Sequence, residues 1–365
     1  MIPYADWSRV KYNCTGNYRV ANLMNLGSLI PFSGKLTAEA QKLINAALSR
    51  NTWAKYSSAW NAFAKFESTV GKNFSWPLED EAIRGFATWC ISTRKLSSGT
   101  AKAYITALAT AHQLAGMQCN KPSKLTQLIL AGGKNLEMLE GRFPTTRRSL
   151  NLTVLKIIGH RIAVSKWSPG SKQVVWTAVT TAFFTSARMG ELLSPTESNF
   201  DPTTTLLWGQ VFFRKDGGVL IHVRQPKIAT KEGDFLDIFP FTDKTCCPVL
   251  ALKKLSEMQT NCGLFDRGLP VFRFPSGRNM TLKCLNSVLK SLLGDIYKEG
   301  TDIITCHSLR MAIPTALNGA PNSTTATDTK EWGRWRSNAY LAYTKQHKKH
   351  KQQLFTKISS ALTNL

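Results

Sequence analysis

The sequence predicts a mainly α-helical chain in two segments, the second of which also carries a small antiparallel β-sheet. Apolar residues recur at three- and four-residue steps through most of the 365 positions, which is the helical period. Only three short stretches, all between Thr204 and Phe239, alternate with the period of a strand. Between the segments, residues 132–150 gather Gly132, Gly133, Gly141, Pro144, Arg147 and Arg148, a basic linker composition. At 43% hydrophobic and 19% charged residues the composition excludes a disordered chain, and the length suffices for two domains with cores of their own.

The first 36 residues lack a period and read as an irregular arm. From Thr37, Leu43, Ile44, Ala47 and Leu48 share one helix face. After a cap at Ser49 or Asn51, the aromatic series Trp53, Tyr56, Trp60, Phe63 and Phe66 forms a second face. Pro77 and the acidic run Glu79-Asp80-Glu81 start a third helix through Ile83, Phe86, Ala87 and Trp89, its acids at the positive end of the dipole. Ser97-Ser98-Gly99 opens a fourth, ending at Gly116, and a short fifth runs from Ser123 to about Ala131. These make a helical bundle over residues 37–131. In the second segment, helices are expected at 152–164 and 174–193. Strands follow at 204–213, 218–223 and 235–239, with Asp216-Gly217-Gly218 as a turn. Helices resume at 247–258, 281–293, 307–317, 335–343 and 352–362. Residues 151–345 thus form one domain, and residues 346–365 a basic tail with a helix.

The charge balance narrows the partner. Lys and Arg number 47 against 23 Asp and Glu, a net +24, and a polyanion that absorbs such an excess is its usual reason. Nucleic acid leads, with an anionic membrane surface far behind. The most apolar stretch, near Val175 to Ala187, is broken by Thr and Ser and is too short to span a bilayer; the first residues lack the pattern of a secretory leader. Eight cysteines without regular spacing read as reduced, mostly buried thiols of an intracellular protein.

Four places in the second segment can carry chemistry. Arg188, with Glu191 three positions on, is either a surface ion pair or an oriented guanidinium fork for a phosphate. Lys227, and Lys231 after it, follow a strand and are either solvated turn lysines or a proton donor reaching into a cleft. His307 and Arg310 share a helix face, the histidine being either a cap or a ligand beside the guanidinium. Trp335, Tyr340 and Tyr343 precede a basic tail and fit core packing as well as function.

Their order is more informative than any one of them. Ala187-Arg-Met-Gly-Glu-Leu-Leu, a hairpin lysine, Cys306-His-Ser-Leu-Arg and Gly333-Arg-Trp followed by Tyr343 resemble the ordered boxes of the tyrosine recombinases. The form with Trp in the third box is most similar to eukaryotic DIRS-type retroelement and crypton-like recombinases. Ser97 to Gly116 resembles a helix of their core-binding domain that lies against DNA, so the likeness covers roughly residues 37–345.

The resemblance implies an N-terminal core-binding, SAM-like bundle and a catalytic domain that cuts and rejoins DNA through a 3′-phosphotyrosyl bond, with neither metal nor ATP, in recombination or integration of a mobile element. It implies Arg188 and Arg310 as phosphate clamp, Glu191 as orienter, Lys227 as general acid with Lys231 as substitute, His307 as proton relay, Trp335 as hydrogen-bond donor and Tyr343 as nucleophile, with Tyr340 as competitor. The polar stretch Asn322 to Thr329 is expected as a flexible loop before the tyrosine segment. DNA contacts are expected from Ser98, Thr100, Lys102, Thr106 and His112 in the bundle, Arg147 and Arg148 in the linker, and Arg334, Arg336 and Lys345 near the nucleophile. The partners implied are double-stranded DNA and further copies of the chain, a dimer on DNA pairing into a tetramer, in the nucleus and with no membrane. Two other readings share the motifs: a DNA-binding descendant without turnover, and a type IB topoisomerase.

Overall fold

A computed structural model describes residues 38–48, 50–118, 122–142, 146–147, 149–224, 233–296, 302–319 and 325–334. It divides into two compact units, Met1–Phe143 and Pro144–Leu365. The fold is mainly helical with a small antiparallel sheet, as the sequence predicts.

In the first unit, α1 (Ala38–Ala47) and α2 (Arg50–Val70) are followed by α3 (Asp80–Thr88), which continues into a π-turn at Trp89–Thr93. Next come α4 (Ser98–Leu114) and α5 (Lys124–Leu139). The aromatic face of α2 does what its spacing predicts: Trp60, Phe63 and Phe66 are buried with Phe86 of α3 and Leu108 of α4. The Trp60 indole N–H donates to the Ala107 carbonyl at 3.0 Å, satisfying a polar group inside an apolar layer. Asp80 is more than a dipole partner for α3. Its carboxylate accepts from the Ser123 amide (3.2 Å) and the Thr126 hydroxyl (3.1 Å), tying the start of α3 to that of α5.

The fifth helix corrects the linker reading: α5 runs through Gly132 and Gly133 to Leu139. Gly133 serves close packing, since a Cβ there would lie 2.8 Å from both Ile91 Cδ1 and Ser98 Oγ. Glu137, one turn on, accepts from the Ser98 hydroxyl at 2.9 Å and closes α5 onto the start of α4.

The second unit is built around α7 (Pro169–Thr185), whose Val174, Val175, Ala178, Val179, Ala182 and Phe183 are all buried. Three of its threonines bond back to their own helix: the Thr177 hydroxyl donates to the Gln173 carbonyl at 2.8 Å, Thr180 to the Trp176 carbonyl at 2.9 Å and Thr185 to the Thr181 carbonyl at 2.7 Å. Around it stand α6 (Leu152–Val164), α8 (Pro248–Asn261), α9 (Leu282–Leu293), α10 (Cys306–Arg310), α11 (Ala312–Gly319) and α12 (Ala326–Gly333). A two-residue strand β1 (Thr146–Arg147) pairs in parallel with β5 (Asp302–Ile303), a feature the sequence does not announce. The antiparallel sheet has the order β2 (Val211–Phe213), β3 (Val219–Val223), β4 (Asp234–Ile238), with Phe213 opposite Val219 and Val223 opposite Asp234. Its inner face, Val219, Ile221, Val223, Leu236 and Ile238, joins the core around α7.

Boundaries differ where a local conformation overrides the period. The helix expected over 174–193 starts earlier, at Pro169 behind the Ser168 cap, and stops at Thr185 because Ser186 turns left-handed (φ 52°). The strand expected from Thr204 begins only at Val211, after a 3-10 turn at Trp208–Gln210. The helix expected over 307–317 is two pieces, α10 and α11. The stretch expected as a loop up to Thr329 becomes helical at Ala326, where Thr325 and Asp328 form a reciprocal cap. The helices expected at 335–343 and 352–362, and the arm 1–36, lie outside the described residues. Among the described residues no helix is long and apolar enough to cross a membrane. Of the described cysteines, Cys90, Cys246, Cys247 and Cys306 are buried, and none of the six is in a disulfide.

Candidate active site

The site forms where α7, α10 and α12 end or begin. At the end of α7 the chain turns left-handed at Ser186 and becomes extended at Arg188, and a 3-10 turn at Met189–Glu191 follows. This carries the two side chains of the first box off the helix and lets them pair: Arg188 Nη1 stands 3.1 Å from Glu191 Oε1. The Arg188 side chain is a quarter exposed, whereas Glu191 is nearly enclosed.

The second box opens α10. Thr305 caps it, its hydroxyl accepting from the His307 amide at 3.2 Å, and the Cys306 amide donates to Asn286 Oδ1 at 2.8 Å. His307 is half-buried, and Arg310, one turn on, is 1% exposed. A guanidinium so enclosed needs acceptors. Arg310 Nη1 donates to the Ser186 carbonyl and Nη2 to the Gly333 carbonyl at 2.9 Å. Burial pushes the neighbouring Cys306 thiol up to about 12, which keeps it protonated at neutral pH and rules it out as a nucleophile there.

The third box begins at the end of α12. Trp332 anchors that end by donating its indole N–H to the Phe184 carbonyl at 3.1 Å. Arg334 then adopts a left-handed conformation (φ 54°), a region that costs a side-chain-bearing residue about 1–2 kcal/mol. Its guanidinium is held at both ends: Nη2 stands 2.9 Å from Glu191 Oε2 and Nη1 2.6 Å from Asp234 Oδ2. Three segments far apart in sequence therefore meet through Glu191, Arg310 and Arg334. Asp234, the first residue of β4, brings in the strand pair whose connection bears Lys227 and Lys231.

Of the expected catalytic residues, Arg188, Glu191, His307 and Arg310 lie within or beside this convergence. Lys227, Lys231, Trp335, Tyr340 and Tyr343 lie outside the described residues, as do Arg148, Arg336 and Lys345. Arg147 is in β1, and its side chain is not among those described.

Three expected DNA contacts require correction. His112 is 1% exposed and stacks on Trp76 with ring centroids 4.4 Å apart. Its Nε2 accepts from the Leu78 amide at 2.8 Å and its Nδ1 bonds the Leu108 carbonyl at 2.7 Å, so both nitrogens serve the core. Ser98 is buried and bonded to Glu137. Arg334 is turned inward onto two carboxylates, its side chain 11% exposed. Lys102 and Thr106 are exposed on α4, and Thr100 is half-buried at its start. Sequence reasoning missed Asp234 and Trp332 altogether. Trp332 next to Gly333 was the available signal for an anchor; nothing local marks Asp234.

The chain has the tyrosine-recombinase fold. Its structure is similar to that of the XerH site-specific recombinase bound to palindromic difH substrate in a post-cleavage complex, with a TM-score of 0.56 and 12% identity over 83% of this chain and 78% of that one. It is also similar to the Tn1549 transposon integrase in complex with circular intermediate DNA, with a TM-score of 0.54 and 14% identity over 86% of this chain and 96% of that one. No protein-family model and no curated protein matches the chain.

Proposed function

We propose that the chain is a tyrosine recombinase that cuts and rejoins DNA in the recombination or integration of a mobile element, and that it is an enzyme of the eukaryotic DIRS-type or crypton-like kind acting in the nucleus. The observation that carries this reading is the meeting of the first, second and third boxes at Glu191, Arg310 and Gly333-Arg334. Support comes from the fold, from neighbours solved as DNA complexes, and from the net charge of +24.

In the proposed reaction the Tyr343 oxygen attacks a backbone phosphorus, its proton passing toward His307. The bond to the 5′-oxygen breaks, and Lys227 protonates that oxygen, leaving a 3′-phosphotyrosyl ester and a 5′-hydroxyl; the reverse step rejoins the strands. Arg188 and Arg310 stabilise the added charge on the non-bridging oxygens, and Trp335 adds a hydrogen bond through its indole N–H. For Arg310 this means exchanging the Gly333 carbonyl for a phosphate oxygen. Lys102 and Thr106 on α4, with Thr100, Arg147, Arg148, Arg336 and Lys345, follow the DNA backbone. A dimer on DNA pairing into a tetramer supplies the four strands to be exchanged.

The test is covalent trapping on duplexes of randomised sequence that carry a nick, so that the released fragment diffuses away. Wild-type protein is expected to form a protease-resistant DNA adduct whose linked peptide contains Tyr343, and Tyr343→Phe to form none. An adduct that survives in Tyr343→Phe and disappears in Tyr340→Phe reassigns the nucleophile. No adduct from wild type removes the enzymatic reading in favour of a binding protein, and plasmid relaxation without joined products favours a topoisomerase.

A further inference from the structure

One face of α5 has no cover among the described residues. Leu125, Leu128, Leu136 and Leu139 are each half or more exposed, while Thr126 and Gly133 turn another side of the same helix into the core. At the helical period these four leucines and Gly132 fall within about 80° of one another, so they form a single stripe. An apolar stripe of that kind is the part of a helix that is ordinarily buried against a partner. Gly132 stands at its middle and is exposed. A glycine inside a helix costs about 1 kcal/mol relative to alanine, and nothing lies within 4 Å of its Cβ position, in contrast to Gly133. Packing within the chain therefore gives no reason for it.

The order of the stripe supplies one. Leucines stand four and seven positions to either side of Gly132, and eight positions to either side stand opposite charges, Lys124 and Glu140, both exposed. Such a sequence is complementary to a second copy of itself turned end for end. Two antiparallel α5 helices crossing at Gly132 bring Leu125 against Leu139, Leu128 against Leu136 and Lys124 against Glu140, each contact occurring twice about a two-fold axis. With no side chain at the crossing, the backbones can approach more closely than the usual spacing of about 8–10 Å. A parallel pair would instead set Lys124 against Lys124 and Glu140 against Glu140.

We propose that α5 is a self-association surface, through which two copies of the free protein pair about a two-fold axis at Gly132. The inference goes beyond the recombinase reading and does not rest on it, since neither DNA nor any residue of the candidate active site takes part. A single helix pair is a small interface, and the net charge of +24 opposes association, so the dimer is weak and forms in the micromolar range.

The experiment is sedimentation equilibrium of the full chain without DNA, from about 1 to 200 μM protein at about 0.3 M salt, which screens the net charge. The average mass of wild type is expected to climb from monomer toward dimer across that range. Gly132→Gln improves helix propensity at an exposed position yet holds the backbones apart, and should raise the dissociation constant about tenfold or more. Leu128→Lys should do the same. Lys124→Glu and Glu140→Lys should each weaken the dimer several-fold, and the two together should restore it, because position 124 of one copy meets position 140 of the other. A chain that stays monomeric throughout overturns the proposal and leaves the stripe to another occupant, such as residues 1–36 or a different protein. A dimer indifferent to Gly132→Gln and Leu128→Lys forms elsewhere, and the proposal fails. Charge reversals that do not rescue each other overturn it too. Circular dichroism of each variant separates these outcomes from misfolding. Sedimentation reads this inference and covalent trapping reads the chemistry, so one can fail while the other stands.

Discussion

The guanidinium of Arg310 reaches across 23 positions to the carbonyl of Gly333, at 2.9 Å, while its other end holds the carbonyl of Ser186. One buried side chain thus fixes Ser186, itself left-handed, and the residue just before Arg334, the next non-glycine left-handed position among the described residues. Arg310→Met keeps the volume and strands two carbonyls, so it is expected to lower the stability of the second unit by about 2–4 kcal/mol. A urea midpoint that falls at unchanged slope checks this; an unchanged midpoint contradicts it.

His112 makes the first unit sensitive to acid. Burial pushes its pKa below the ordinary histidine value, outweighing the opposing bond to the Leu108 carbonyl. The neutral ring accepts from the Leu78 amide, which a protonated ring cannot do. The folded state therefore binds fewer protons than the unfolded one, so stability is full above the unfolded histidine pKa, about 6.5, and declines as pH falls below it. Urea unfolding at pH 7.5 and 5.5 should show that decline, and His112→Gln should flatten it.

Two adjacent glycines of α5 are expected to respond in opposite directions. A Cβ at Gly133 would meet Ile91 and Ser98 at 2.8 Å, and Ser98 is pinned by Glu137, so Gly133→Ala should destabilise by about 1–3 kcal/mol. At Gly132 nothing lies within 4 Å of that position, and Gly132→Ala should stabilise by about 0.5–1 kcal/mol, the helix-propensity difference. Thermal unfolding of the pair reads both signs, and equal shifts would refute the packing argument.

Along α4, exposure separates the proposed DNA contacts from supports. Lys102 is exposed, so Lys102→Gln should weaken binding to any duplex and lower the salt slope by about 0.9 without changing stability. Ser98→Ala should do the reverse, because its hydroxyl is bonded to Glu137. Filter binding across a salt series, with a melting curve for each variant, distinguishes them.

Helices whose partners lie on their own face were legible in the sequence: the aromatic ladder of α2, the caps at Ser97 and Ser123, and the turn between β2 and β3 all follow from local spacing. The pairing of Arg188 with Glu191 was legible for the same reason. What escaped depends on distant partners. Nothing near Gly133 states that Ile91 packs against it, and nothing near Arg334 states that Glu191, 143 positions earlier, turns it inward. The break at Ser186 is equally silent, since the partner of its carbonyl, Arg310, comes 124 positions later. The buried His112 looked like a surface base only because a polar residue on an otherwise small-residue helix carries no sign of which way it faces.

The parallel pairing of Thr146–Arg147 with Asp302–Ile303 fastens the chain where it enters the second unit to the strand just ahead of Thr305, and the Leu150 amide adds a bond to the Ser308 carbonyl in the first turn of α10. The first described residues of the second unit are thus pinned beside the helix that bears His307 and Arg310, so a change to this short pairing disturbs the candidate active site from outside it.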